Sequence, residues 1–127
     1  MPAHRIFKTR HFHRWMNKTE LTDIELIHAV VEMRHGLIDA KLGGNVVKKR
    51  VAIAGHGKRG GARTIVATNF GNHWFFLYGF EKNTRSNISD KELEALKEIA
   101  DDLLALDEDA LKIAMEQGKL LEVKHGN

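Results

Sequence analysis

Lys48, Lys49, Arg50, Lys58, Arg59 and Arg63 fall between Gly44 and Arg63, together with His56 and without a single acidic residue. Like charges crowded on a short strand pair repel one another, and a polyanion relieves that repulsion. Glycines at 55, 57, 60 and 61 punctuate the same run. Glycine lets backbone N–H groups approach a phosphate while the cations supply its counter-charge. The alternative is a basic hairpin whose charges simply face water. Gly55-His-Gly-Lys-Arg-Gly60 fits the form G-x-G-x-x-G. A dinucleotide site, however, needs a helix after the glycines, and here a strand follows. A Walker loop is excluded as well, because Lys58 is followed by Arg59 rather than by Ser or Thr.

Eight histidines invite a metal or acid–base proposal. On a helix His11 and His13 point in different directions, and His28 and His35 lie two turns apart, too far for one ion. No H-E-x-x-H spacing exists. No metal site and no cofactor are therefore expected. His56 is the histidine worth keeping, since it sits inside the basic loop and imidazole is the side chain suited to proton transfer near neutral pH. Trp74, Phe76 and Tyr78 alternate along one strand and should share a face. They are suited to stacking on bases, although aromatics in the middle strand of a small sheet are ordinarily core.

These residues need elements to hold them. Arg5 to Lys8 reads as a short strand. Thr9 is placed to cap a first helix carrying Phe12, Trp15 and Met16 and ending near Lys18. Thr22-Asp-Ile-Glu25 has the form of a capping box for a second helix, which Gly36 stops in the left-handed conformation. After a turn at Gly43-Gly44, Val46 to Ile53 alternates as a strand, with Lys48 and Arg50 on one face. Val47, Lys49, Val51 and Ile53 take the other face, where Lys49 should snorkel outward along its stem. Gly55 to Gly61 forms a mobile turn. Ala62 to Thr68 and Trp74 to Phe80 complete a meander, antiparallel because its connections are too short for a crossover.

Ser89-Asp-Lys-Glu92 is a second capping box, opening a helix with Leu93, Leu96, Ala100, Leu103 and Leu104 on its apolar stripe. Asp107 caps a last helix that Gly118 ends. Leu120 to Val123 docks as a strand or as an extended arm, and Lys124 to Asn127 should fray. The expected class is α+β, with a small antiparallel sheet, helices packed on one face and the order β-α-α-β-β-β-α-α.

The 127 residues suit one domain, 1–127, with a single core. No apolar run is long enough to span a bilayer, and charges throughout Met1 to Lys18 leave no signal-peptide core. The absence of cysteine fits a reducing cytoplasm and rules out disulfides. A net charge of +3 conceals a polarised chain. Residues 1–88 hold 15 Lys/Arg against 6 Asp/Glu, and residues 89–127 hold 5 against 11. A basic body with an acidic helical tail points to an anionic partner for the body.

Lys48-Lys-Arg50, Gly57-Lys-Arg-Gly-Gly-Ala-Arg63, Tyr78-Gly-Phe-Glu-Lys-Asn83 and Ser86-Asn-Ile-Ser-Asp90, in that order, resemble the RelE/HigB group of type II toxins, within the RelE/ParE superfamily. The resemblance covers nearly the whole chain. It implies a small ribonuclease that cuts mRNA, commonly on the ribosome, without metal, and that a cognate antitoxin neutralises. By position it carries Lys48, Arg50 and Arg63 over as the active face, Lys58 and Arg59 as a basic loop, and Lys82 and Arg85 as basic residues after the last strand. Asn83 stands where RelE has a catalytic arginine and Ser89 where it has a tyrosine. Asn83 joins the expected RNA contacts. The general acid and base are left open. ParE-like relatives poison DNA gyrase instead, and a decayed toxin would keep only its binding to nucleic acid or antitoxin.

Metal-free RNA cleavage proceeds by attack of the 2′-OH on the adjacent phosphate. It needs a base for that proton, an acid for the 5′-oxygen and cations for the developing charge. Arg50 and Arg63 suit the last role. Lys48, crowded by other cations, suits the base, and His56 the acid.

Overall fold

The computed structural model describes residues 4–53 and 57–124, the side chains of residues 57–60 excepted. In chain order its elements are β1 (Arg5–Thr9), α1 (Arg10–Met16), α2 (Asp23–Arg34), β2 (Ala40–Gly43), β3 (Val46–Ile53), β4 (Gly57–Ala67), β5 (His73–Glu81), α3 (Asp90–Leu104), α4 (Glu108–Glu116) and β6 (Leu120–Val123). The strands form one sheet in the order β2-β3-β4-β5-β1-β6.

Local chemistry sets the helix ends. The Thr9 hydroxyl accepts the Phe12 N–H at 3.1 Å and donates to the Leu77 carbonyl, fixing α1 to the sheet. The Thr22 N–H donates to the Glu25 carboxylate at 2.6 Å at the start of α2. Ser89 and Glu92 cap α3 reciprocally, at 3.1 and 2.7 Å, and Asp107 accepts from the Ala110 N–H. Gly36 and Gly118 stop α2 and α4 at φ of 87° and 76°, the left-handed values that the sequence asks of them.

The α+β class holds, and three details of the expected fold change. First, β2 joins the sheet, and of the two alternatives for Leu120 to Val123 the strand, β6, is the one found. Ala40–Gly43 is too short to announce itself and takes its hydrogen bonds from β3. Second, the sheet is mixed. β3, β4 and β5 form the antiparallel meander, but β1 lies parallel to β5 and β6 antiparallel to β1. Third, helices cover both faces rather than one. Phe12, Leu26 and Val30 pack with Val47, Val51, Trp74 and Phe76 on the α1/α2 side. Leu96, Ala100 and Leu111 pack with Val46, Ile65, Phe75 and Leu77 on the α3/α4 side. The physical reason is visible in β5, where Trp74 to Leu77 are four consecutive buried apolar residues. A strand without alternation needs both of its faces covered.

Two further expectations are corrected. Gly57 to Gly61 belong to a strand rather than to the expected turn, because β4 begins at Gly57, which pairs with Ile53; Gly55 lies outside the described residues. Gly61 lies within that strand, and a Cβ there would collide with the Val51 carbonyl oxygen, so glycine is needed for close approach rather than for a turn. The aromatic residues of β5 do not share a face. A shift in register between Ile65 and Val66 places Tyr78 opposite Ile65 and Phe76 opposite Val66. Leu77 is the residue taken up by the irregularity, and Tyr78 passes to the α3 side while Trp74 and Phe76 remain core beneath α1.

Trp15 of α1 lies over Gly79, where a Cβ would run into its ring. Gly79→Ala forces that ring away from a packed position. It should destabilise the protein by about 1–3 kcal/mol, read as a lower midpoint in urea unfolding. An unchanged midpoint would show that α1 packs on β5 loosely.

Candidate nucleic-acid interface

Period-2 alternation in β3 puts Lys48 and Arg50 on the α3 side of the sheet, and the antiparallel register sets Arg50 directly opposite Arg63. Residues directly opposite share a face, so two arginines leave neighbouring strands on the same side of the sheet. Like charges so placed are destabilising unless an anion joins them. Arg63 is only 8% exposed. Arg50 Nε and Arg63 Nη1 are buried and, among the described residues, neither has a hydrogen-bond acceptor. A buried charged donor left without an acceptor carries its full desolvation cost. A phosphate between the two arginines would satisfy both, because guanidinium presents paired N–H groups to its oxygens. Lys48 stands one pair further along the same face, opposite Ile65.

Across β5 the face continues with Phe80 opposite Arg63 and Tyr78 opposite Ile65. Arg85, beyond the end of β5, folds back over both rings, 6.0 and 5.8 Å from their centroids. Its Nη1 donates to the Tyr78 hydroxyl at 3.0 Å. Nη1 and Nη2 also donate to the two Glu92 carboxylate oxygens, and Nε donates to the Asn87 carbonyl. The Arg85 guanidinium, and secondarily the Ser89 N–H, hold the Glu92 carboxyl down at about 2. Arg85 itself is raised, chiefly by the same hydrogen bond. Glu92 is depressed in the folded state, so the clamp contributes stability above the ordinary carboxylate value of 4.5 and loses it as pH falls toward about 2. Both side chains are about a third exposed, so water screens the pair and its contribution is modest.

The expected site residues thus fall into three groups. Lys48, Arg50 and Arg63 are brought together on one face. Lys82 and Asn83 are exposed in the turn after β5, and Arg85 is tied into the clamp. Lys58 and Arg59 belong to β4 by backbone, but their side chains, like the whole of His56, lie outside the described residues. Lys49 does not snorkel. It is 3% exposed in its side chain and donates to Glu32 at 2.7 Å and to the Leu37 carbonyl at 2.8 Å, closing α2 and the following loop onto the back of the sheet. Its neighbours supply acceptors within reach, so water is not needed. Tyr78 is the residue that sequence reasoning placed on the wrong face. Its signal was the four-residue apolar run before it, which strict alternation cannot accommodate on one side.

Among the described residues no group of three or more His, Asp or Glu side chains is arranged to hold a metal ion, and no helix is long and apolar enough to cross a membrane.

The fold and this face define a small α+β protein built around a cationic sheet surface. The family model described as the RelE toxin of the RelE/RelB toxin–antitoxin system matches residues 4–123. The chain belongs to that family: it is a toxin of a toxin–antitoxin system, and membership implies a cognate antitoxin. No curated protein matches the sequence.

Proposed function

We propose that this toxin, acting as one domain, stops translation by cutting mRNA on the ribosome without metal, in the cytoplasm. The observation that carries the reading is the arginine pair. Arg50 and Arg63 face each other across β3 and β4 with buried, unsatisfied donors, an arrangement that costs stability until a phosphate enters. The scissile phosphate sits between them. Lys48 takes the proton of the attacking 2′-OH, the 2′-oxygen bonds to phosphorus, and the bond to the 5′-oxygen breaks. The products are a 2′,3′-cyclic phosphate and a 5′-hydroxyl. Lys58, Arg59, Lys82 and Asn83 contact the flanking backbone.

The 5′-oxygen needs a proton as it leaves. His56 is the donor that its place in the basic run supports. Tyr78 is a second donor, favoured by one observation: its hydroxyl accepts from Arg85. That bond uses a lone pair, leaves the phenolic proton free to transfer, and keeps a cation beside the oxygen it departs from. Tyr78→Phe keeps the ring and removes the proton, and should lower the cleavage rate about 10²-fold or more with unfolding unchanged. If Tyr78→Phe cuts at the wild-type rate while His56→Ala does not, the donor is His56.

The reading is tested by inducing the chain in growing cells and mapping mRNA ends. Cuts within codons that disappear in a folded Lys48→Ala variant support it. Intact mRNA together with blocked supercoiling would show a gyrase poison of the ParE kind. Growth without either effect would show a chain that only binds.

A further inference from the structure

Away from the arginine pair, the α3/α4 side carries a second surface with no assigned use. A pocket of about 490 Å³ lies between α3 and α4, lined by Ile99, Leu103, Leu106, Ala110 and Ile113 among others. A pocket of about 370 Å³ continues from it along α3 to Tyr78 and His11, whose rings stack 5.4 Å apart. Thr9 and Ile99 line both, so the two form one trough. Its α3 wall is the stripe Glu92, Ala95, Ile99 and Asp102, spaced by three or four residues. At 1.5 Å per residue it runs roughly 15 Å, enough for about three turns of a second helix. Ile99 and Ile113 stand 41% and 51% exposed in it, although aliphatic side chains of that size usually belong inside.

The charge around the trough is predominantly acidic. Asp102 lines it, as does Glu92, which is already paired with Arg85. Asp109 and Glu116 are exposed within one helical turn of Ile113, as is Lys112. Lys119, at the far end, is the basic residue of the lining. An apolar floor with an acidic rim selects an amphipathic helix whose polar flanks are basic.

We infer that this trough is the docking site for a basic-flanked amphipathic helix of the cognate antitoxin, seated on Ile99 and Ile113 and ending beside Tyr78 and Arg85. The inference rests on the family's antitoxin partner, not on the chemistry proposed for the arginine pair. A helix so placed restrains the toxin at the edge of its cationic face, while its bulk lies on the acidic helices. Continuity with the Tyr78 end also gives neutralisation a route, since RNA running along Arg63 and Phe80 would meet the helix terminus.

The test uses the full chain and the purified cognate antitoxin. Ile99→Asp and Ile113→Asp replace exposed side chains, so both should fold, which circular dichroism and thermal melting verify. Each should bind antitoxin about thirtyfold or more weakly, and Asp102→Lys should weaken binding with a reduced dependence on salt. Growth arrest and mRNA cutting by these variants should match wild type but resist rescue by antitoxin. Wild-type affinity in both isoleucine variants would overturn the inference and direct attention to the free edge of β6. Sedimentation of the chain alone as a dimer that Ile113→Asp dissolves would also overturn it, by giving the trough to a second copy. A chain that never cuts mRNA would defeat the proposed function, yet the binding measurements would still decide this question.

Discussion

Arg63→Met should cut ribosome-bound mRNA about 10²–10³-fold more slowly than wild type and melt at a higher temperature. The two effects have one cause. Arg63 is buried, its Nη1 lacks an acceptor among the described residues, and Arg50 is its direct cross-strand neighbour. In the free protein this charge is a liability: an unsatisfied buried donor costs about 1–3 kcal/mol. Methionine fills a similar volume without the charge and recovers part of that cost. In the proposed complex with RNA, the same donor would meet a phosphoryl oxygen as negative charge builds on it. A buried cation already fixed in place is what a preorganised anion site requires, since nothing has to move when the reaction begins. A variant that is both more stable and inactive would be difficult to explain by misfolding. Should Arg63→Met melt lower and cut normally, the arginine is structural.

Lys49 and Glu32 should give the opposite pattern. Lys49 is adjacent in sequence to two proposed site residues, but its ammonium is buried on the other face against Glu32 and the Leu37 carbonyl. Glu32→Ala removes the carboxylate and leaves the cation inside. Breaking a fully buried pair this way costs about 3–5 kcal/mol. Glu32 is itself about a third exposed, so water and the remaining carbonyl bring the expected loss to about 2 kcal/mol. Lys49→Met removes charge and partner requirement together, and should leave unfolding within about 1 kcal/mol of wild type and growth arrest intact. Loss of toxicity in a stable Lys49→Met protein would move Lys49 into the site.

The contrast between Lys48, Lys49 and Arg50 shows how far the sequence reaches. Alternation assigns their faces correctly, because a strand's period of two is local. The caps at Thr9, Thr22, Ser89 and Asp107 and the stops at Gly36 and Gly118 are equally local, and all are found in place. What depends on distant pairing was not legible. β1 finds β5 across more than sixty residues, and β2 exists only because β3 offers it a ladder. The second layer of helices was signalled by the unbroken apolar run of β5, a cue weaker than the capping boxes. At the site, the three cations were legible as a cluster. Their sharpest feature, Arg50 facing Arg63, follows from the β3–β4 register, and Tyr78 joins their face only through the irregularity at Leu77. Neither is written in any single segment.

The central claim is that the arginine pair positions a phosphate for attack by its neighbouring 2′-hydroxyl. The most direct measurement places the purified chain with ribosomes carrying a defined mRNA, in which the nucleotide 5′ of the cut is either ribose or 2′-deoxyribose. The ribose message should be cut to a 2′,3′-cyclic phosphate and a 5′-hydroxyl, and the deoxy message should survive intact. Equal cutting of both messages would contradict the mechanism, because the nucleophile would then be something other than the RNA's own hydroxyl.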